Sequence, residues 1–80
     1  MSDTMATRTL TYTVILERTG TGYSAYAPDL PGCISVGGTR EEIMEMMREA
    51  MEFHLESMVE DGDEIPELIS SAVEIEVRVS

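Results

Sequence analysis

Apolar and polar residues alternate along two stretches of the chain, one near each end. The first stretch runs from Thr9 to Glu17, and Ile15 is its only apolar exception. Its apolar positions are Leu10, Tyr12, Val14 and Leu16. The second stretch covers residues 73–79, with Val73, Ile75, Val77 and Val79 as its apolar positions. A period of two is typical of a β-strand with one buried face, so both stretches are predicted to be strands.

Two shorter strands are predicted between these stretches, over Tyr23–Ala27 and Cys33–Val36. The sequence Thr19-Gly20-Thr21-Gly22 is typical of a hairpin loop between the first two strands. Residues 28–32 contain two prolines, which remove two backbone donors and exclude this segment from a central strand. The segment is therefore predicted to be a rigid bend between the second and third strands.

A single helix is predicted from Arg40 to about Glu60. Thr39 and Glu42 have the spacing of a capping box, in which each side chain satisfies a free backbone amide. Gly62 is expected to end the helix. At 100° per residue, one face is apolar and the opposite face is acidic. The apolar face contains Ile43, Met47, Ala50, Met51, His54 and Met58, flanked by Met44 and Leu55 on one side and by Met46 and Phe53 on the other.

These elements define an α+β fold with an antiparallel sheet in β-β-β-α-β order and one helix packed on one face of the sheet. Residues 1–8 are polar and without periodicity, so we predict a disordered tail there and a single domain over residues 9–80.

The charge of the chain restricts its partners. The 80 residues include 16 acidic residues and five arginines but no lysine, giving a net charge of −11. Because proteins neutralise phosphates with Lys and Arg, we expect no direct nucleic acid binding. The charge suits a basic protein partner or simply solubility. The chain has no signal-peptide pattern and no apolar run long enough to span a membrane, so a cytoplasmic location is predicted.

The residue types give little indication of catalysis, and we predict that the protein is not an enzyme. No Cys/His cluster has zinc spacing, so neither a metal nor a cofactor is expected. Asp29 is expected to close its turn, since metal-dependent phosphoryl transfer needs several convergent carboxylates. His54 and Cys33 are predicted to pack as core residues, although an interface histidine remains an alternative.

Four segments of the sequence together resemble the HicB family of antitoxins over roughly Leu10 to Glu60. They are Tyr12-Thr13-Val14, Gly22-Tyr23-Ser24-Ala25, Pro28-Asp29-Leu30-Pro31-Gly32-Cys33 and Gly38-Thr39-Arg40-Glu41-Glu42. The resemblance implies a fold similar to a truncated RNase H. It also implies a partner, the small basic toxin HicA, which cleaves mRNA. Many members of the family carry a DNA-binding domain after this fold, and the sequence ends at Ser80 without one.

We therefore predict a HicB-like antitoxin of a type II toxin-antitoxin system, which neutralises a HicA-type toxin by covering its surface. The alternative is an oligomeric scaffold or small-ligand-binding protein without a toxin. A homodimer or higher homo-oligomer is expected in either case, because the core is small and edge strands are available for pairing. The candidate partner-binding residues are Asp29, Leu30, Pro31, Glu45, Glu49, Glu52 and Glu56.

Overall fold

The computed structural model describes residues 9–80 and contains three strands followed by one helix. The strands are β1 (Ile15–Arg18), β2 (Tyr23–Tyr26) and β3 (Ile34–Gly37), and the helix is α1 (Arg40–Glu60). They form an antiparallel sheet in the order β1-β2-β3. This arrangement confirms the predicted α+β class. The predicted disordered tail, residues 1–8, lies outside the described residues.

The two faces of the sheet have different environments. Leu16, Ala25 and Ser35 form one cross-strand row, and Ala25 is 1% exposed beneath the helix. The neighbouring row contains Tyr26 and Ile34, both exposed on the opposite face. Successive side chains of a strand point to opposite faces, so a single helix covers only one of these rows.

The core is small, and its buried residues come from β2, α1, the bend and the residues on either side of the bend. Three side chains are the largest that are fully buried: Leu30 from the bend, and Ile43 and Met47 from α1. Ala25, Ala27 and Cys33 complete the cluster. The bend is closed by its own backbone, since the Leu30 amide donates to the Ala27 carbonyl at 3.1 Å and the Cys33 amide donates to the Leu30 carbonyl at 3.1 Å.

Cys33 packs in this core, as predicted, and is 5% exposed. Burial raises the pKa of the Cys33 thiol, because the charged thiolate is poorly solvated there. The thiol therefore behaves as a small apolar group.

Both ends of α1 are closed by local hydrogen bonds. The Glu42 amide donates to Thr39 Oγ1 at 3.1 Å, and the Gly38 amide donates to Glu42 Oε1 at 2.7 Å. The predicted capping box therefore forms, with the carboxylate reaching one residue before the cap. At the other end Gly62 has a φ of 78°, its amide donates to the Val59 carbonyl, and the Asp63 amide donates to the Met58 carbonyl. This is the Schellman pattern of helix ends.

Two parts of the predicted sheet are not strands in the structure. β1 begins at Ile15 rather than at Thr9, and residues 73–79 form no strand. The apolar side chains of this second segment are 76–88% exposed. A strand needs a backbone ladder with its neighbour. Residues 66–70 are hydrogen-bonded only to the side chains of Tyr12 and Thr13, and no described backbone pairs with residues 73–79. The predicted fourth strand is therefore wrong for the isolated chain.

Gly22 is expected to be intolerant of any side chain. A Cβ atom built there would collide with the backbone carbonyl oxygen of Gly37 on the neighbouring strand. We expect Gly22→Ala to lower the free energy of unfolding by about 1–3 kcal/mol, since two paired backbones must separate. Urea unfolding followed by the helical circular dichroism signal measures this loss. Gly20→Ala in the same hairpin loop is the control, because nothing lies within 4 Å of its Cβ; an equal loss in both variants would contradict the assignment.

Candidate functional site

The acidic residues of α1 form a continuous exposed surface. Glu45, Glu49, Glu52 and Glu56 are all exposed, and we call them the acidic helix face. Arg48 pairs with Glu45 at 2.9 Å, and both side chains are about 60% exposed (62% and 59%). An ion pair this open contributes little to stability. Within residues 9–80, no arginine pairs with the other three glutamates, so this face carries uncompensated negative charge.

An aromatic side chain lies at the border of the acidic helix face. Phe53, the only phenylalanine of the chain, is 71% exposed. This exposure is unusual because phenylalanine is among the residue types most often buried. Glu49 precedes it by four residues and Glu56 follows it by three, so both are its neighbours on the helix surface. Large exposed aromatic side chains surrounded by polar groups are typical anchors of protein interfaces.

Helical periodicity places Phe53 at the flank of the apolar face of α1, but in the structure its side chain is exposed to solvent. The apolar stripe of α1 is wider than the three-stranded sheet beneath it, so residues at the edges of the stripe find no partner. Met46, on the same flank, is 39% exposed. The excess width of the stripe is the sequence signal that identifies this surface.

Asp29 holds the segment after the helix rather than closing its own turn. Its Oδ2 accepts hydrogen bonds from the backbone amides of Ile69 and Ser70, both at 3.0 Å. Its Oδ1 accepts one from the Ser70 hydroxyl at 2.8 Å. We call this arrangement the Asp29 latch. The expectation that Asp29 closes its own turn is therefore wrong. The hydrogen-bond partners of its carboxylate lie forty residues further along the chain, and a local turn pattern cannot indicate so distant a contact.

The segment held by the Asp29 latch also contacts the residues before β1. The Tyr12 hydroxyl donates to the Pro66 carbonyl, and Thr13 Oγ1 donates to the Ser70 carbonyl at 2.9 Å. Residues 66–70 therefore lie between the Pro28–Gly32 bend and the extended chain that leads into β1.

The remaining two candidate residues of the bend differ in accessibility. Leu30 is 0% exposed and belongs to the core, whereas Pro31 is exposed. Asp29 is 9% exposed and its carboxylate is occupied by the latch. A partner at this bend would meet Pro31 first, so the acidic helix face offers a larger accessible surface than the bend does.

The latch makes part of the stability dependent on pH. The hydrogen bond from the Ser70 amide, aided by the Ser70 hydroxyl and the Ile69 amide, holds the pKa of Asp29 below its usual value, although burial opposes this shift. A lowered folded-state pKa means that the ionised carboxylate stabilises the fold above about pH 4, the ordinary aspartate pKa, and that this stabilisation is lost as the pH falls through the lower folded-state value.

We expect Asp29→Asn to lower the urea midpoint at pH 7, because an amide places a donor where the latch needs two acceptors. The difference from the unsubstituted chain should shrink as the pH falls below about 4, where the natural carboxylate also loses its charge. Asp63→Asn is the control, since Asp63 is exposed and forms no side-chain hydrogen bond among those described. A difference that does not change with pH would contradict the latch.

Within residues 9–80, no three His, Cys, Asp or Glu side chains lie close enough to hold a metal ion. His54 is half-buried on the helix face that packs toward the sheet. The only described helix, α1, is too polar to cross a membrane.

A family model described as "HicB_like antitoxin of bacterial toxin-antitoxin system" matches residues 12–78 of the chain. The chain belongs to the HicB-like antitoxin family. The match includes the bend with Asp29 and continues beyond α1 as far as residue 78, within the exposed C-terminal residues.

Two individual proteins are similar in sequence to this chain. An uncharacterised 14.9 kDa protein from the rep-hol intergenic region of Haemophilus phage HP1 is 44% identical over 55 residues, which are 69% of this chain and 41% of the phage protein. A UPF0150 protein of Synechocystis is 41% identical over 56 residues, covering 69% of this chain and 71% of that protein. The HicB-like chain thus matches less than half the length of the phage protein.

A chain of the solved HicA3 and HicB3 toxin-antitoxin complex has a similar structure. The TM-score is 0.62 with 28% sequence identity, over 75% of this chain and 70% of that chain. The HicB-like fold described here therefore also occurs within an experimentally determined toxin-antitoxin complex.

Proposed function

We propose that this HicB-like protein neutralises a small basic toxin of the HicA type by binding over the toxin's RNA-contacting surface. The observation that carries the proposal is the acidic helix face with Phe53 at its border, in a chain whose fold resembles one in the HicA3 and HicB3 complex. An mRNA-cleaving toxin must attract phosphates with basic side chains. Carboxylates can occupy the same positions as those phosphates.

Each component of this surface has a separate physical role. The glutamates guide encounter with a basic partner and fix its orientation, because complementary charge acts over a Debye length. Phe53 supplies apolar area that is removed from water on binding. Charge without such an anchor gives weak, salt-sensitive association, and an anchor without charge gives poor selectivity.

The mechanism we propose is occlusion without catalysis. The bound antitoxin excludes mRNA from the toxin and makes no contact with nucleic acid itself, since the net charge of −11 repels phosphates. We propose that the antitoxin binds the toxin in the cytoplasm, where mRNA is translated. The domain that binds the toxin is the one we assign to residues 9–80.

The proposal is tested by titrating the complete chain into a purified small basic toxin encoded beside its gene. We expect a saturable complex whose affinity falls as salt is raised, because exposed charge pairs are screened. Inhibition of RNA cleavage should reach completion at the stoichiometry of the complex. Absence of binding would contradict the proposal and would favour the alternative, an oligomeric scaffold or small-ligand-binding protein.

A further inference from the structure

The C-terminal tail, residues 71–80, has the pattern of a buried strand but lies entirely in solvent. Every residue of the tail is exposed, and the most exposed apolar side chain, Val79, is 88% accessible. The radius of gyration is 15.7 Å, compared with about 12 Å for a compact domain of this length. The longest dimension is 62 Å while the others are 27 and 20 Å, as expected for a tail that extends from a compact body.

The tail leaves the domain in a fixed direction. The Asp29 latch holds the amides of Ile69 and Ser70 immediately before it. Residues 72–79 contain no glycine, proline, asparagine, aspartate or serine, which are the residues that dominate turns. The tail therefore continues past its own sheet instead of turning back along it.

The same chain has an empty site that fits such a strand. β1 is an edge of the sheet, and residues 9–14 continue its course without a backbone ladder, since residues 66–70 are hydrogen-bonded only to the side chains of Tyr12 and Thr13. Beside them, a groove of about 470 Å³ runs between residues 9–14 and α1. We call it the β1-side groove. Its helix side is formed by Met44, Met47, Arg48, Met51, Glu52 and Leu55.

The chemistry of the β1-side groove matches the tail. Its methionines and Leu55 offer an apolar wall to one face of a strand with alternating aliphatic residues. Met44 is 54% exposed, so this wall lacks a covering layer in the isolated chain. Arg48 lies in the groove, and the tail carries Glu74 and Glu76 on its polar face. Glu52 lines the groove as well, and the tail also carries Arg78, so a strand with charges of both signs suits the groove.

We propose that the tail of one copy adds to the β1 edge and fills the β1-side groove of a second copy, while the second copy returns its tail to the first. A two-fold dimer satisfies both tails and both grooves at once, because each copy carries one of each. Seven residues, 73–79, extend about 23 Å, which is within the length of the extended segment over residues 9–18. The exchange supplies the fourth strand that the sequence pattern predicts.

The test uses the complete chain and light scattering coupled to size exclusion over a series of concentrations. We expect the unsubstituted chain to be a dimer. Both I75E/V77E, which makes the tail polar, and M44E/R48E, which makes the groove acidic, should raise the dimer dissociation constant by more than about tenfold. M46E is the matched control at an exposed apolar helix position that does not line the groove, and it should remain dimeric.

Mixing the two variants distinguishes exchange between copies from a tail that folds back within one copy. I75E/V77E retains an intact groove and M44E/R48E retains an intact tail, so together they should form a heterodimer that neither forms alone. The helical circular dichroism signal confirms that each variant folds. A monomeric unsubstituted chain, a dimer that persists in I75E/V77E, or no heterodimer on mixing would each overturn the proposal. Because no toxin is present, these outcomes are independent of the proposed function.

Discussion

Replacing Leu30 by alanine should destabilise the domain more than Gly22→Ala or Asp29→Asn does. Leu30 is 0% exposed and contacts the core beneath α1, although it belongs to a bend rather than to a strand or helix. Removing a buried leucine side chain costs about 2–5 kcal/mol through lost burial and the cavity left behind. A chain of this length has a total stability of about 4–12 kcal/mol. We therefore expect a large shift of the urea unfolding curve.

Leu68→Ala provides a matched control for this prediction. It makes the same chemical change at a leucine that is 49% exposed. We expect a loss of about 1 kcal/mol or less there, since little apolar surface returns to water. Equal losses at the two positions would show that the bend does not anchor the core.

The second large effect is expected at the acidic helix face. In the variant E49K/E52K/E56K, three exposed glutamates become lysines that repel a basic toxin. We expect its affinity for a HicA-type toxin to fall by more than about a hundredfold, equivalent to ~3 kcal/mol. Phe53→Ala should weaken binding by about 30-fold, or ~2 kcal/mol, without changing the charge. Isothermal titration at fixed salt measures both.

The control for charge reversal is E17K/E64K/E67K. These three glutamates are exposed and lie off α1, so the variant has the same net charge as the first. It should bind nearly as the unsubstituted chain does, apart from a modest decrease due to the long-range field. An equal loss in both triple variants would show that overall charge, and not the acidic helix face, determines binding.

Local sequence patterns were sufficient to predict the helix of this domain. Its predicted start at Arg40 and its end near Glu60 are confirmed, because the capping box at Thr39 and the glycine at position 62 act within a few residues. The β2 strand and the Pro28–Gly32 bend were likewise predictable from alternation and from the two prolines.

Features that depend on distant parts of the chain were not predictable in the same way. The partners of Asp29 lie at positions 69 and 70, and no local pattern identifies them. The exposure of Phe53 follows from the width of the sheet under α1, which helical periodicity does not specify. Alternation over residues 73–79 predicts a strand but not the backbone that pairs with it.

The two proposed surfaces extend to opposite flanks of the helix stripe and meet at Glu52, which lines the β1-side groove and also belongs to the acidic helix face. Met44, on one flank, borders the β1-side groove, whereas Phe53, on the other, borders the acidic helix face. Exchange of tails would therefore leave Phe53 exposed in each copy. A dimer built this way would offer two equivalent toxin-binding surfaces, related by the two-fold axis.

Growth rescue tests the central claim most directly. The complete chain is co-expressed with the small basic toxin encoded beside its gene, and growth is compared with expression of the toxin alone. The proposed function predicts restored growth with the unsubstituted chain and with E17K/E64K/E67K, but not with E49K/E52K/E56K at equal protein levels. Continued growth arrest in the presence of the folded, unsubstituted chain would contradict it.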